Sequence, residues 1–128
     1  MARILIVDDE EHIVALMRFI LEKSGHAVSS VGNGQEALRV LGVDPSNEAA
    51  VLPDIVILDV MMPIMDGYTA AIAIHNNPRT TALPLLVVTA KCDMRHLFEA
   101  MPSVVGFFEK PFDPKNLREA ISKATAGK

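Results

Sequence analysis

The sequence has one cysteine, Cys92, which excludes an internal disulfide and suits a reducing compartment. It has no surplus of base. Its 12 Lys and Arg stand against 16 Asp and Glu, a net charge of −4, and the pI is about 5.5. That balance argues against the basic footprint of a direct DNA or RNA binder. No run of about 18 apolar residues occurs, so no membrane span is expected. The chain enters an apolar strand at once without a signal-peptide pattern, and a cytoplasmic protein is the expectation. Gly-x-x-x-x-Gly-Lys-[Ser/Thr] is absent, which removes P-loop nucleotide chemistry. Internal repeats, low-complexity tracts and a second-domain linker are also missing. What remains is 128 residues, 50% hydrophobic, enough for one domain over 1–128 with its core at about 3–124.

Strand-like apolar runs alternate with segments of helical period, the pattern of βαβ units and a parallel sheet. Strands are expected at Arg3–Val7, Ala27–Val31, Ile55–Leu58, Leu85–Val88 and Gly106–Glu109. Ile13, Leu16, Met17, Ile20 and Leu21 recur at helical spacing and predict a first helix over Glu11–Ser24, stopped by Gly25. A second helix starts over Gln35–Leu41. A third, capped by Asp66, runs to about Asn77. A short fourth falls within Asp93–Met101. Asp113 caps the fifth, with Pro114 at its first position. Gly42–Pro53 interrupts the alternation as a loop or a ragged helix extension. The count is five strands and five helices.

The strands end on chemistry. Asp8 and Asp9 close the first, Asp59 the third and Thr89 the fourth, and Lys110 follows the fifth. In open α/β sheets the site lies beyond the carboxyl ends of the strands. Carboxylates grouped there suit Mg²⁺, which takes oxygen ligands and keeps several waters. Asp9 is expected as the more direct ligand and Asp8 as a water-mediated one. Asp59 is placed to act as a nucleophile that forms an acyl phosphate. Lys110 supplies fixed positive charge, worth roughly 4 kcal/mol at about 4 Å and an effective dielectric of about 20. Thr89 can donate a hydrogen bond to a phosphate oxygen, worth about 1.5–3 kcal/mol. Blander roles compete at each position: Asp59 as a cap, Asp8 and Asp9 as acids suited to a helix start, Thr89 as an ordinary strand residue. His12, His26, His75 and His96 show no ligand spacing.

The motifs Ile4-Leu5-Ile6-Val7-Asp8-Asp9-Glu10, Asp54-Ile55-Val56-Ile57-Leu58-Asp59-Val60-Met61-Met62-Pro63, Met65-Asp66-Gly67, Val88-Thr89-Ala90 and Lys110-Pro111-Phe112 stand in order across the chain. Together they resemble the receiver domains of two-component response regulators. The resemblance implies an α/β, flavodoxin-like, doubly wound five-stranded parallel sheet of order 2-1-3-4-5. It implies that Asp59 accepts phosphate from the phosphohistidine of a sensor histidine kinase or phosphotransfer protein. Asp8, Asp9, Asp59 and the Met61 backbone carbonyl would organise Mg²⁺. Thr89 and Lys110 would read the phosphoryl group, and the bond before Pro111 would be cis. The first helix and nearby loops would dock the phosphodonor. The face of helix four, strand five and helix five would carry output to a downstream partner, with a phosphorylation-dependent homodimer among the outcomes left open. A stand-alone chain and a piece of a larger regulator also stay open.

The sequence departs from that pattern in four places. Phe107 stands where many receivers carry a switching Tyr, so it cannot offer a hydroxyl. Glu99–Gly106 replaces the usual Ala-Gly-Ala turn, and Pro102 is expected to end the fourth helix. Gly42–Pro53 is long for the family, and a protruding loop is expected. Met61 and Lys91, two residues beyond Asp59 and Thr89, are bulky and would hinder attack by water, implying a long-lived phosphorylated form. The rival reading is an aspartyl phosphohydrolase of the haloacid-dehalogenase type. It lacks its acid/base residue, because Met61 stands where the second acid of Asp-x-Asp belongs. A degenerate receiver serving as a docking module is the third reading, and the intact site argues against it.

Overall fold

The computed structural model describes residues 1–90 and 92–126, with the side chains of 92–94 left aside. Five strands form one parallel sheet: β1 (Arg3–Val7), β2 (Ala27–Val31), β3 (Ile55–Leu58), β4 (Leu85–Thr89) and β5 (Val104–Glu109). Their order is β2-β1-β3-β4-β5, and every pairing is parallel. The α-helices are α1 (Glu11–Lys23), α2 (Gly34–Val40), α3 (Gly67–Asn76) and α4 (Pro114–Ala124).

Burial on both faces explains why the central strands read as continuous apolar runs. Every residue of β3 and β4 is buried. Leu5 and Val7 of β1 pack with Leu38 of α2 and Ile74 of α3. Ile4 and Ile6 turn to the opposite face, against Met17 and Leu21 of α1 and Leu117 and Ile121 of α4. The sheet is thus sandwiched between α1/α4 and α2/α3. Each fully buried Leu or Ile contributes about 1.5–3 kcal/mol. The caps act as their chemistry requires. The Asp66 carboxylate accepts from the Thr69 N–H at 2.8 Å and starts α3. The Asp113 carboxylate accepts from the Lys115 N–H at 2.8 Å and starts α4 behind Pro114.

The structure corrects the helix count. Among the described residues there are four α-helices, and the expected fourth of five is a short 3-10 helix at Cys92–Leu97. Strand β5 begins at Val104, two residues before the expected Gly106. Pro102 disfavours helix at the residue before it and closes the segment. The chain descends instead by i to i−3 bonds: Phe98 N–H to Arg95, Met101 N–H to Phe98 and Val104 N–H to Met101. Phe98, 2% exposed, anchors it to the core.

The stretch after α2 is a loop, not a helix extension. Gly42 takes a positive φ of 74° to start it, and the Asp44–Pro45 bond is cis. The loop is exposed at its tip but strapped at its base. Arg79 donates to the Leu41 carbonyl at 3.2 Å and to the Ala50 carbonyl at 2.8 Å.

Candidate functional site

Strands β1 and β3 are neighbours whose following helices lie on opposite faces, so their carboxyl ends flank the switch point of the sheet. Asp8 leaves β1 there and Asp59 leaves β3. Both are nearly fully buried, at 4% and 3% exposure. The Asp59 N–H bonds the Val7 carbonyl at 2.9 Å, which locks the two strand ends together. Gly67 closes the site from the other side. Its N–H bonds the Val60 carbonyl at 2.9 Å, and a Cβ there would collide with the Asp59 carbonyl oxygen. Only glycine lets α3 start this close to the Asp59 backbone.

Lys110 crosses from the end of β5 and joins the acids. Its Nζ lies 2.8 Å from Asp8 Oδ2, 2.8 Å from Glu10 Oε1 and 3.5 Å from Asp59 Oδ2. The Lys110–Pro111 bond is cis. Thr89 is fully buried at the end of β4, and its hydroxyl and the Met61 N–H favour the ionised form of the Asp59 carboxylate.

Burial pushes the Asp59 carboxyl above its ordinary value, and the charge of Asp8 adds to the rise. Lys110, the Thr89 hydroxyl and the Met61 N–H work in the opposite direction. Burial alone would depress the Lys110 ammonium. Its hydrogen bonds to Asp8 and Glu10, with the charges of Asp59 and Asp8, outweigh that and hold it above the usual lysine value. Glu10 is lowered by its hydrogen bond to Lys110 and by that residue's charge.

Carboxylate oxygens of Asp8, Glu10 and Asp59 lie within 4.8 Å of one another. That hard-oxygen donor set fits a small divalent cation. Asp9 is not among the three; its side chain is exposed. The cause is local. Asp8 Oδ1 accepts the Glu10 N–H at 2.9 Å, an Asx turn. The turn carries Glu10 back over Asp8 and leaves Asp9 outside. Glu10 was visible in the acidic triplet, but the turn that recruits it leaves no periodic signal. Met61 is exposed at 54%. Lys91 lies outside the described residues. Phe107 is half-buried, its ring 6.0 Å from that of Phe98 and 5.7 Å from the Arg95 guanidinium.

The family described as "Response regulator receiver domain" matches residues 4–122. This chain is a response regulator receiver domain. It is 30% identical over 128 residues to Protein PilH of Pseudomonas aeruginosa, covering 99% of this chain and 100% of that one. It is 34% identical to Response regulator PleD of Caulobacter vibrioides, over 97% of this chain and 26% of PleD. It is 32% identical to the alkaline phosphatase synthesis transcriptional regulatory protein PhoP of Bacillus subtilis, over 93% of this chain and 46% of that protein. The receiver domain therefore spans the full length of one such relative and less than half of the other two. Among solved structures it is similar to response regulator TrrA of Thermotoga maritima in complex with Mg²⁺-BeF. That likeness has a TM-score of 0.79, with 28% identity, and covers 97% and 99% of the two chains. A putative response regulator from Chloroflexus aurantiacus gives a TM-score of 0.82 at 29% identity, over 98% of both chains. Receiver domains of this family serve phosphorylation-based signalling in two-component systems. No helix among the described residues is long and apolar enough to cross a membrane.

Proposed function

We propose that Asp59 is the phosphoacceptor of this receiver domain and that its phosphorylation switches a protein-binding face. The convergence of Asp59, Thr89 and Lys110 at one buried point carries this reading. An Asp59 carboxylate oxygen attacks the phosphorus of a phosphohistidine on a sensor kinase or phosphotransfer protein. The new O–P bond forms as the P–N bond breaks, and the imidazole departs with the electron pair and takes up a proton. Acetyl phosphate reacts in the same way, with acetate leaving. The only chemistry of the receiver domain is this self-phosphorylation and the hydrolysis of its phosphoaspartate, in which water takes the phosphoryl group as inorganic phosphate and the carboxylate is restored.

Asp8, Asp9, Asp59 and the Met61 backbone carbonyl would hold Mg²⁺, with Asp9 as the more direct ligand and Asp8 acting through a water, while Glu10 would stay with Lys110. When bound, the ion supplies positive charge at the phosphoryl oxygens. Lys110 now sits 3.5 Å from Asp59 and 2.8 Å from Asp8. Added negative charge on Asp59 draws Lys110 toward it and draws the Thr89 hydroxyl to a phosphoryl oxygen. A shift from 1:99 to 99:1 needs about 5.5 kcal/mol, which two charge-assisted contacts can approach. Thr89 ends β4 and Phe107 lies on β5 beside it. Movement of Thr89 would therefore reach the face made by the 3-10 helix, β5 and α4. That face would meet the downstream partner or output domain. Side chains at Met61 and Lys91 would shield the phosphoryl group from water and lengthen its lifetime.

Intact mass after incubation with Mg²⁺ and acetyl phosphate tests the acceptor. The expected result is one phosphate-sized gain in the native chain, lost in Asp59→Asn and lost on chelation. A gain that survives Asp59→Asn names a different acceptor. No gain with acetyl phosphate or with a phosphorylated phosphotransfer protein favours the docking-module reading.

A further inference from the structure

An open sheet has two free edges, and in this fold they are β2 and β5. A free edge offers unpaired backbone groups to any other strand, so proteins blunt it with charge, proline, bulges or a covering element. The β5 edge carries such devices: its register shifts opposite Leu85/Leu86, and it ends on Glu109. The β2 edge carries none within its own sequence. Ala27-Val28-Ser29-Ser30-Val31 has no charge and no proline, and its register against β1 runs unbroken.

The bonding of β2 shows which groups face outward. The Ala27 N–H donates to the Ala2 carbonyl, and the Val31 carbonyl accepts from the Asp8 N–H. Residues 27, 29 and 31 therefore turn to β1, and the N–H and C=O groups of Val28 and Ser30 point to the open edge. Arg18 reaches this edge from α1. Its Nη1 donates to the Val28 carbonyl at 2.8 Å, and its Nη2 donates to Ser30 Oγ at 3.3 Å. The same guanidinium lies 3.4 Å from Glu22 Oε2, one turn along α1. The planar fork with fixed donors is what lets one side chain span the helix and two strand positions.

We propose that Arg18 is an edge guard, which occupies the outward face of β2 and keeps it from pairing with β2 of a second copy of this chain. A second copy is the partner the edge itself favours. Two β2 strands meeting antiparallel across a two-fold axis present the same uncharged groups to each other, and such a contact is self-complementary and closed. The guanidinium lies where the incoming strand would have to donate.

The test compares native chain, Arg18→Met, Arg18→Lys and Glu22→Gln, all without phosphodonor. Self-association is read by light scattering after size exclusion across concentration, and site-resolved amide exchange locates the contact. Met keeps the apolar stem and loses every donor, whereas Lys keeps the charge and one ammonium group that can donate but not the planar fork. Circular dichroism tests whether Arg18→Met folds; if it does not, the same readouts are taken on Arg18→Leu, which also lacks every donor. The expected result is self-association at least tenfold tighter for Arg18→Met than for the native chain. Exchange at the Val28 and Ser30 amides should slow at least tenfold on association. Arg18→Lys should lie closer to native, and Glu22→Gln should match it. A native association profile for the donor-free variant overturns the proposal. So does association that protects β5 amides and leaves Val28 and Ser30 unchanged.

Discussion

Asp59 shows the conflict this site is built on. It is a buried carboxylate beside a second buried carboxylate, and its ionised form is disfavoured for both reasons. Its pKa in the fold stands above the ordinary value of 3.8. The unfolded chain therefore loses this proton at lower pH than the folded one. Above the folded pKa the charge is a standing cost to stability, and the cost fades as pH falls toward 3.8. Asp59→Asn should raise stability at pH 7 by on the order of 1 kcal/mol. In urea titrations its advantage over the native chain should shrink steadily as pH is lowered toward 4. An advantage independent of pH would mean the Asp59 charge is not its source. Lys110 is bound by the opposite logic, since its charge is what the acids stabilise. The strand ends named Asp8, Asp59, Thr89 and Lys110 from sequence, and the structure brings these four together. Glu10 needed the Asx turn at Asp8, a hydrogen bond between a side chain and a backbone two residues on, which no hydrophobic pattern reports.

Among the elements, strands were more legible than the connections between them. β1, β2 and β3 lie at the expected residues; in β1 and β3 an apolar run buried on both faces is bounded wherever burial stops, whereas β2 is an edge strand of exposed and half-buried residues. The segment before β5 reads in sequence as a short α-helix within Asp93–Met101; in the structure it is 3-10 over Cys92–Leu97 and descends to β5 by i to i−3 bonds. The loop after α2 was expected to protrude. Its tip does, while Arg79 holds its base through two backbone carbonyls. Gly42 is the hinge of that strap. At φ 74° a side chain is strained, and an added Cβ would also collide with the Asn47 carbonyl oxygen. Gly42→Ala should cost about 2 kcal/mol in urea unfolding and speed proteolysis between Asp44 and Ala49. An unchanged cleavage rate would mean that Arg79 alone holds the loop.

The whole molecule is coupled through the site at its switch point. Anything that binds the folded site and not the unfolded chain stabilises the fold, by about 2.7 kcal/mol at a hundredfold excess over Kd. Mg²⁺ at that excess should raise Tm by on the order of 10 °C, and a chelator should reverse the rise. Asp59→Asn should lose most of it, as differential scanning fluorimetry can show. A Tm indifferent to Mg²⁺ would remove the cation from the reading. By itself the sequence determined the number of strands and their places along the chain, the carboxyl-end placement of the acids, the hydroxyl and the lysine, and the caps at Asp66 and Asp113. Each of these follows from local period, burial or a neighbouring residue. Only the tertiary structure decided that Glu10 faces the lysine while Asp9 faces solvent. It alone decided that the fourth helix collapses to a 3-10 turn, and that Arg79 and Arg18 reach across to hold a loop and an edge. Those outcomes depend on groups far apart in sequence meeting in space, where a long cation with fixed donors finds carbonyls that no pattern along the chain announces.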